Sequence, residues 1–535
     1  MNVTAAPRVV LEQNQRLSSS MLWRLQRRFF SEQTIDAWRQ SIVPHYVTSN
    51  TFIALAYAKV VFGYVRDAVR NGQYDPGAPL YVLELGTGSG RFSYHFLKCF
   101  FSILERSALS HVAVTFVMSD FSEKNLEFWR KHPSLLAFVE QGRLDFSLVD
   151  LSKLQDIALR NSGKILSEGQ SGNPLVVLAN YVFDSIEQDA FYVDDGILHE
   201  SLISLHSETE ESDPDDVAIL ERAQTSFSNV PVEVDYYPEP ELNRILNHYR
   251  HHLTDTHILM PAQAIRYLNH LRRISGNRLL LISGDKGYSR EDELSSRGVP
   301  SVVSHGSISL MVNYHAIGRY VEEQGGTFLT TPQPHQGLHI CAALFDTEPV
   351  DSTTNRFPET GLAFTENICQ ISPDDFFVLK RFIQGNAKHL SLEQLLAYMR
   401  MSGWDAANFW GCYEAFMQHA ATAEGALRHE IARMAESVWN IYYSLGEDRD
   451  LAFALGSLLY EIDCYREAIT YLQHSCRLYG DDAGTLYNIA MCFYNLGELP
   501  QALQFVEESL RVDLAYEPAR VMKVSMQRSR KKMGE

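Results

Sequence analysis

Residues 83–92, Leu-Glu-Leu-Gly-Thr-Gly-Ser-Gly-Arg-Phe, set an acid and three glycines between an apolar run and a helical pattern. Glycines at such a strand-to-helix turn let the backbone bend sharply and approach a ligand closely. Their spacing discriminates between ligands. A dinucleotide fingerprint needs a glycine five residues after Gly86, where this chain has Arg91. A phosphate loop needs Gly-Lys followed by Ser or Thr, and none follows. Three further apolar runs end in polar residues: Asp120 in VMSDF, Asp150 in DFSLVDL, and Asn180 with Asp184 in LVVLANYVFDSI. Ligands of open parallel sheets lie beyond the carboxyl ends of the strands. Any one of these acids is also read as a solvated strand end; four successive strand ends in step describe one polar site.

The runs Tyr81–Leu85, Val112–Met118, Leu144–Val149 and Leu175–Ala179 alternate with helical patterns, the signature of a parallel sheet with crossover helices. Strand-like segments at 278–283, 326–331 and 337–345 follow. We expect an α/β Rossmann-like domain over 1–350, mostly parallel with helices on both faces, carrying N-terminal helices and an inserted helical region at about 196–275. The polar stretch 351–373, beside Pro349 and containing Pro358, reads as a linker, and 374–446 as a helical region. Within 447–535 an offset of 34 residues superposes Leu455 on Ile489, Gly456 on Ala490, Leu459 on Phe493, Tyr465 on Leu499, Ala468 on Ala502, Leu472 on Val506 and Ser475 on Ser509. That period resembles tetratricopeptide repeats, with a capping helix over Pro518–Lys532. Generic helical hairpins are the plainer reading.

The 535 residues exceed a single core, and 66 acids against 47 bases leave a net charge of −19 spread along the chain. No basic stripe marks a nucleic-acid surface. Seven scattered cysteines without a CxxC point to a reducing, cytoplasmic setting. No apolar run reaches the length of a membrane span. The segment RLSSSMLWRLQRRFF, residues 16–30, is rich in Arg and Ser and lacks acids. It reads either as an organellar transit peptide or as a helix with Met21, Leu22, Leu25, Phe29 and Phe30 on its apolar face.

The spacing Glu84-x-Gly86-x-Gly88-x-Gly90 resembles motif I of class I S-adenosylmethionine-dependent methyltransferases. HYVTSNTFIALAYAKVV before the first strand, NYVFDSI after the fourth, HILMPAQAIRYLNHL, RLLLIS and SHGSISLMVNY resemble, in order, the MidA family over roughly residues 20–345. Members of that family include a mitochondrial arginine methyltransferase. The resemblance implies S-adenosylmethionine as cofactor and S-adenosylhomocysteine as product. It implies a cofactor site of Thr48, Glu84, Gly86, Thr87, Gly88, Gly90, Asp120, Phe121, Asp150, Leu151 and Asn180, with Asp120 toward the ribose and Asp150 toward the adenine amino group.

The acceptor side departs from the family. Its usual Asn-Glu is Asn180-Tyr181 here, its Asp-Ile-Thr-Ala-His-Val-Asp-Phe is Ser307-Ile308-Ser309-Leu310-Met311-Val312-Asn313-Tyr314, and its Asp-Tyr-Gly is Ser283-Gly284-Asp285. Carboxylates would orient a guanidinium and help it lose a proton, so their loss puts arginine in doubt. Candidate catalytic residues are Asp184, Asn180 and Tyr181, with Asn313 and Tyr314 beside them. Asp184 is open to a second reading as a helix N-cap before Ser185-Ile186-Glu187. His248, His251 and His252 share a helical face near Asp255 and His257, but lack HExxH, and no metal is expected. The expectation is a methyltransferase whose repeats recruit a protein partner or substrate. The alternatives are a catalytically silent scaffold and, disfavoured by Arg91, a nicotinamide oxidoreductase.

Overall fold

The computed structural model describes residues 9–233, 235–333, 337–347 and 356–533. The chain forms two compact units, one reaching to Phe377 and one starting at Val378. Among the described residues no helix is long and apolar enough to cross a membrane.

The first unit opens with a strand, Val9–Gln15, and the helix α1, Met21–Gln33. Ser20 caps α1 by accepting from the Leu22 N–H, and its hydroxyl donates to Glu12. Helix α2, Thr51–Arg70, is capped in the same way by Asn50. Then comes the central sheet: β1 (Leu80–Leu85), β2 (Val114–Asp120), β3 (Leu144–Leu148), β4 (Leu175–Asn180), β5 (Leu279–Asp285), β6 (Thr327–Thr330) and β7 (His339–Phe345). Their spatial order is β6-β7-β5-β4-β1-β2-β3. Strands β1 to β5 are parallel, and β7 runs antiparallel to both its neighbours. This is the class I methyltransferase arrangement. Strands covered on both faces need apolar residues throughout, which is why LYVLEL and LVVLAN show no alternation. The chain leaves β1 toward β2 and β3, then returns to β4 on the other side. The carboxyl ends of β1 and β4 therefore flank a topological switch point. Helix α3, Arg91–Glu105, follows β1.

The insertion between β4 and β5 corrects one expectation, because it is not chiefly helical. Asp189–Asp194 and Ile197–Ser207 form a hairpin whose turn residues Asp195 and Gly196 both have positive φ. Gln224–Pro231, Thr256–Met260 and the N-terminal Val9–Gln15 complete a five-stranded antiparallel sheet. Only α4 (Pro240–His252) and α5 (Ala262–Ile274) are long helices there. Leu22, Trp23, Leu25 and Phe29 of α1 pack on Ile203 and Leu205 of this sheet and on Ile308 and Leu310. Each such burial contributes about 1.5–3 kcal/mol, enough together to anchor α1. Helix α6, Tyr314–Glu323, precedes β6.

The expected linker is also corrected over its described part; 348–355 lie outside the described residues. Pro358 starts a helix, α7 (Pro358–Phe364), which packs on α2. A β-carbon on Gly63 would stand 2.7 Å from the Glu359 carbonyl oxygen. The buried Asp67 carboxylate accepts from the N–H groups of Glu359 and Thr360 and from the Thr360 hydroxyl.

The second unit is all helical. After Leu392–Met401, Ala406–Ala420 and Gly425–Asn440 come two hairpins, α8 (Leu451–Glu461) with α9 (Tyr465–Tyr479) and α10 (Ala483–Asn495) with α11 (Leu499–Val512), then α12 (Glu517–Met533). Five of the seven superposed pairs, Leu455/Ile489, Gly456/Ala490, Ala468/Ala502, Leu472/Val506 and Ser475/Ser509, are buried on both sides; of the others, Leu459 is buried and Phe493 half-buried, while Tyr465 is half-buried and Leu499 exposed. A β-carbon on Gly456 would lie 2.8 Å from Leu472 Cγ, so the small residue is what lets α8 and α9 approach. Asp450 and Asp482 cap α8 and α10 alike.

Candidate functional site

Two adjoining clefts lie at the carboxyl ends of β1 to β5, with volumes of about 910 and 850 Å³ including their open mouths. Gly86, Tyr181, Ser185, Phe30 and Trp38 border both. They read as one elongated site pinched in the middle.

The glycine loop walls the first cleft. Gly86, Gly88 and Gly90 have φ of 60°, 57° and 82°, a region where a β-carbon is strained. Gly90 ends the loop as the N-cap of α3 and does not line the cleft. Glu84 accepts on one oxygen from the hydroxyls of Thr87 (3.0 Å) and Ser93. Burial pushes Glu84 up to about 8, against the pull of those two hydroxyls. Thr48 also lines this cleft, held by donation of its hydroxyl to the His45 carbonyl.

Asp120, Phe121, Asp150 and Leu151 line the second cleft. The Asp120 carboxylate accepts from the N–H groups of Gly88 (3.2 Å) and Ser122 (3.0 Å) and from Asn125, which ties the end of β2 to the glycine loop. Burial raises its pKa against those three bonds. At Asp150 partial burial works in the same direction, but hydrogen bonds from Ser152 and the Arg27 guanidinium outweigh it and hold the group below the usual range. Every residue expected at the cofactor site therefore falls on the two clefts except Gly90, which shapes the loop.

On the acceptor side, Asn180, Tyr181 and Asp184 line the first cleft together with Lys286, Ser307 and Ser309. Tyr181 adopts a left-handed φ of 53°, with its N–H donating to the Gly284 carbonyl. The Tyr57 hydroxyl donates to Asn180 Oδ1 at 2.8 Å, while Asn180 Nδ2 is buried without a protein partner. Asp184 lies in a short 3-10 turn, Phe183–Ser185, accepts from the Ser185 hydroxyl at 2.7 Å and meets the carboxyl of Asp285. Burial raises both carboxyls, and the charge of Asp184 raises Asp285 further. Lying side by side, the two titrate as a pair, each holding its proton more firmly than a free carboxyl.

Two acceptor candidates are corrected. The Asn313 side chain caps α6 through the Ala316 N–H and donates to the Leu259 carbonyl, away from both clefts. Tyr314 is buried behind the wall, where its hydroxyl donates to Asp285 at 2.9 Å. Of the histidines on α4, His248 pairs with Glu291 at 2.7 Å, and His251 and His252 are exposed. Among the described residues no three His, Cys, Asp or Glu side chains are placed to hold a metal ion.

Among the side chains that escaped the sequence reading, Arg27 and Trp38 line the clefts, and Asp285 and Tyr57 stand behind residues that do. Asp285 obeys the same strand-end rule as the others, one strand further on. Tyr57 stands in an apolar helix without a local motif. Arg27 and Trp38 come from the N-terminal segment: Arg27 bonds Asp150 at 2.9 Å, and a β-carbon on Gly88 would lie 2.7 Å from the Trp38 ring. Phe30 stacks on Trp38 with centroids 5.9 Å apart.

No protein-family model and no curated protein matches the chain. Among solved structures it is similar to an uncharacterized superfamily protein from Burkholderia thailandensis, with a TM-score of 0.38 and 12% identity over 62% of this chain and 88% of the other. It is similar to a second member of that superfamily from the same organism, bound to S-adenosyl-homocysteine, with a TM-score of 0.37 and 10% identity over 64% of this chain and 98% of the other. A third is YrrB, a TPR protein with an unusual peptide-binding site, with a TM-score of 0.23 and 20% identity over 32% of this chain and 82% of that one.

Proposed function

We infer that this chain is an S-adenosylmethionine-dependent methyltransferase acting on a protein side chain that its helical repeats recruit. One observation carries the reading: adjacent parallel strands deliver Glu84, the left-handed glycines, Asp120, Asp150, Asn180 and Asp184 to one elongated cleft. The donor set fits the cofactor. Asp120 and Asp150 offer carboxylates to hydroxyl and amino groups, Phe121 and Leu151 an apolar wall, and the buried Asn180 Nδ2 a donor awaiting an acceptor. Bound there, S-adenosylmethionine supplies an electrophilic methyl on a sulfonium centre.

The chain's own part is alignment and proton handling. Asn180, held by Tyr57, and Tyr181 position the nucleophile; a near-attack separation of about 3 Å with water excluded supplies most of the rate. Asp184, on the cleft wall and buttressed by Asp285, takes the proton that leaves the nucleophile. This pair restores a carboxylate on the acceptor side, which keeps arginine, the acceptor that the family resemblance implies, among the side chains to be tested.

Titration calorimetry with S-adenosylmethionine and S-adenosylhomocysteine tests the reading. Micromolar binding that Asp120→Ala weakens at least tenfold is the expected result; no binding to the wild type hands the chain to the scaffold alternative. Labelled methyl transfer into a lysate depleted of the protein then identifies the acceptor. Deletion of 447–535 is expected to leave cofactor affinity in place and to abolish labelling.

A further inference from the structure

We propose that Arg27 is a cofactor-binding residue that closes over the adenine ring, completing its pocket from the N-terminal helix; this rests on the methyltransferase reading above.

The second cleft has the features of a slot for a flat ring. Trp23, Phe121, Val149, Val182 and Ile186 give it apolar walls, and Asp120, Asn125 and Asp150 are among the polar groups that line it. Flat apolar faces with a hydrogen-bonding edge describe a heteroaromatic base.

Arg27 faces Phe121 across this slot, with its Cζ 5.8 Å from the ring centroid. Two stacked contacts need about 7 Å between the outer layers. A base therefore enters by lifting the guanidinium about 1 Å, and ends between it and the phenyl ring. The Arg27 side chain is 37% exposed and moves outward without disturbing a core. Two carboxylates, on the segments that follow β3 and β4, keep it from leaving: Asp150 at 2.9 Å and Glu187 at 3.7 Å. Arginine suits the position because its planar cation stacks on an aromatic face while its edge keeps two acids paired, which a lysine ammonium cannot do together.

The backbone that carries Arg27 is fixed. The neighbouring Gln26 donates to the Ser185 carbonyl at 3.0 Å and accepts from the Ile308 N–H at 3.2 Å, and Leu22, Leu25 and Phe29 are buried. Closure is thus a side-chain movement over a standing scaffold.

The test is calorimetry on the full chain with two probes, S-adenosylhomocysteine and S-ribosylhomocysteine, which lacks the base. Arg27→Ala is expected to weaken S-adenosylhomocysteine about tenfold and Arg27→Lys about threefold, with S-ribosylhomocysteine affinity unchanged in both. Arg24→Ala removes a surface arginine of the same helix, paired with Asp215, and is expected to change neither probe. Equal weakening of both probes means a merely structural role and overturns the proposal. So does unchanged or tighter binding of S-adenosylhomocysteine by Arg27→Ala, which would make Arg27 a plug instead of a clamp. A wild type that binds neither probe brings down the methyltransferase reading itself, a result distinct from these.

Discussion

Glu84 is the group whose replacement most directly tests the physics of the site. It is buried, its carboxyl accepts from the hydroxyls of Thr87 and Ser93, and it is held at about 8 against an ordinary 4.5. Between those two values the unfolded chain releases the proton that the folded chain keeps. Folding stability from this group is therefore fully present below pH 4.5 and is lost as pH rises through about 8. At about 1.4 kcal/mol per pH unit, the interval is worth about 5 kcal/mol, an upper figure because the surroundings relax. Glu84→Gln keeps the shape and an oxygen for Thr87 and Ser93 but cannot ionise. Relative to the wild type, the variant is expected to gain about 3–5 kcal/mol between pH 4.5 and 8.5, and to lose S-adenosylhomocysteine affinity if the carboxylate meets the ligand. Urea unfolding of both proteins across that range, read as the difference between them, cancels every other titrating group. A difference that stays constant within about 1 kcal/mol would falsify the burial argument.

Three other outcomes are expected. Gly88→Ala forces a β-carbon into a left-handed residue and onto the Trp38 ring 2.7 Å away; a loss of about 2 kcal/mol in thermal unfolding and at least tenfold weaker S-adenosylhomocysteine binding are expected. Asp285→Ala removes the hydrogen bond by which this carboxyl favours ionised Asp184, so Asp184 ionises less readily, and the acid limb of the pH–rate profile for labelled methyl transfer should move to higher pH; an unmoved limb means Asp184 is not the titrating base. Gly456→Val drives α8 from α9 at Leu472 and should cost about 1–3 kcal/mol in unfolding of the repeats, with acceptor labelling falling and cofactor affinity held.

The strands of the central sheet are legible because a buried parallel strand is apolar throughout and turns polar where it emerges, as LYVLEL, VTFVMSD and LVVLAN do. The same rule reaches Asp285 at the end of β5, but its partner Asp184 follows another strand, and no local spacing joins the two. The insertion's strands are legible locally: Asp195-Gly196 is a hairpin turn, and ILHESLISLHS buries every second residue from Ser201 through Ile203 and Leu205 to Ser207, with Leu198 in a different core cluster. Pro358 reads equally as a breaker or as the first residue of a helix, and in α7 it starts one. Arg27 was illegible for a different reason. Its partner Asp150 is 123 residues away, and no spacing rule links a helix arginine to an acid at that distance.

The cap that Asp67 places on α7 has a consequence for how the protein is made. The acid and its partner Thr360 are 293 residues apart in the chain. At about 5–20 residues per second of synthesis, α2 waits roughly 15–60 s for the segment that satisfies it. The strand Val9–Gln15 likewise waits for Ile197–Ser207, and β5 and β6 acquire their common neighbour β7 only after both are made. The first unit therefore closes late and all at once, with a high share of distant contacts that slows folding. Until then the apolar face of α1, whose partners include Ile203, Leu205, Ile308 and Leu310, is uncovered on the nascent chain.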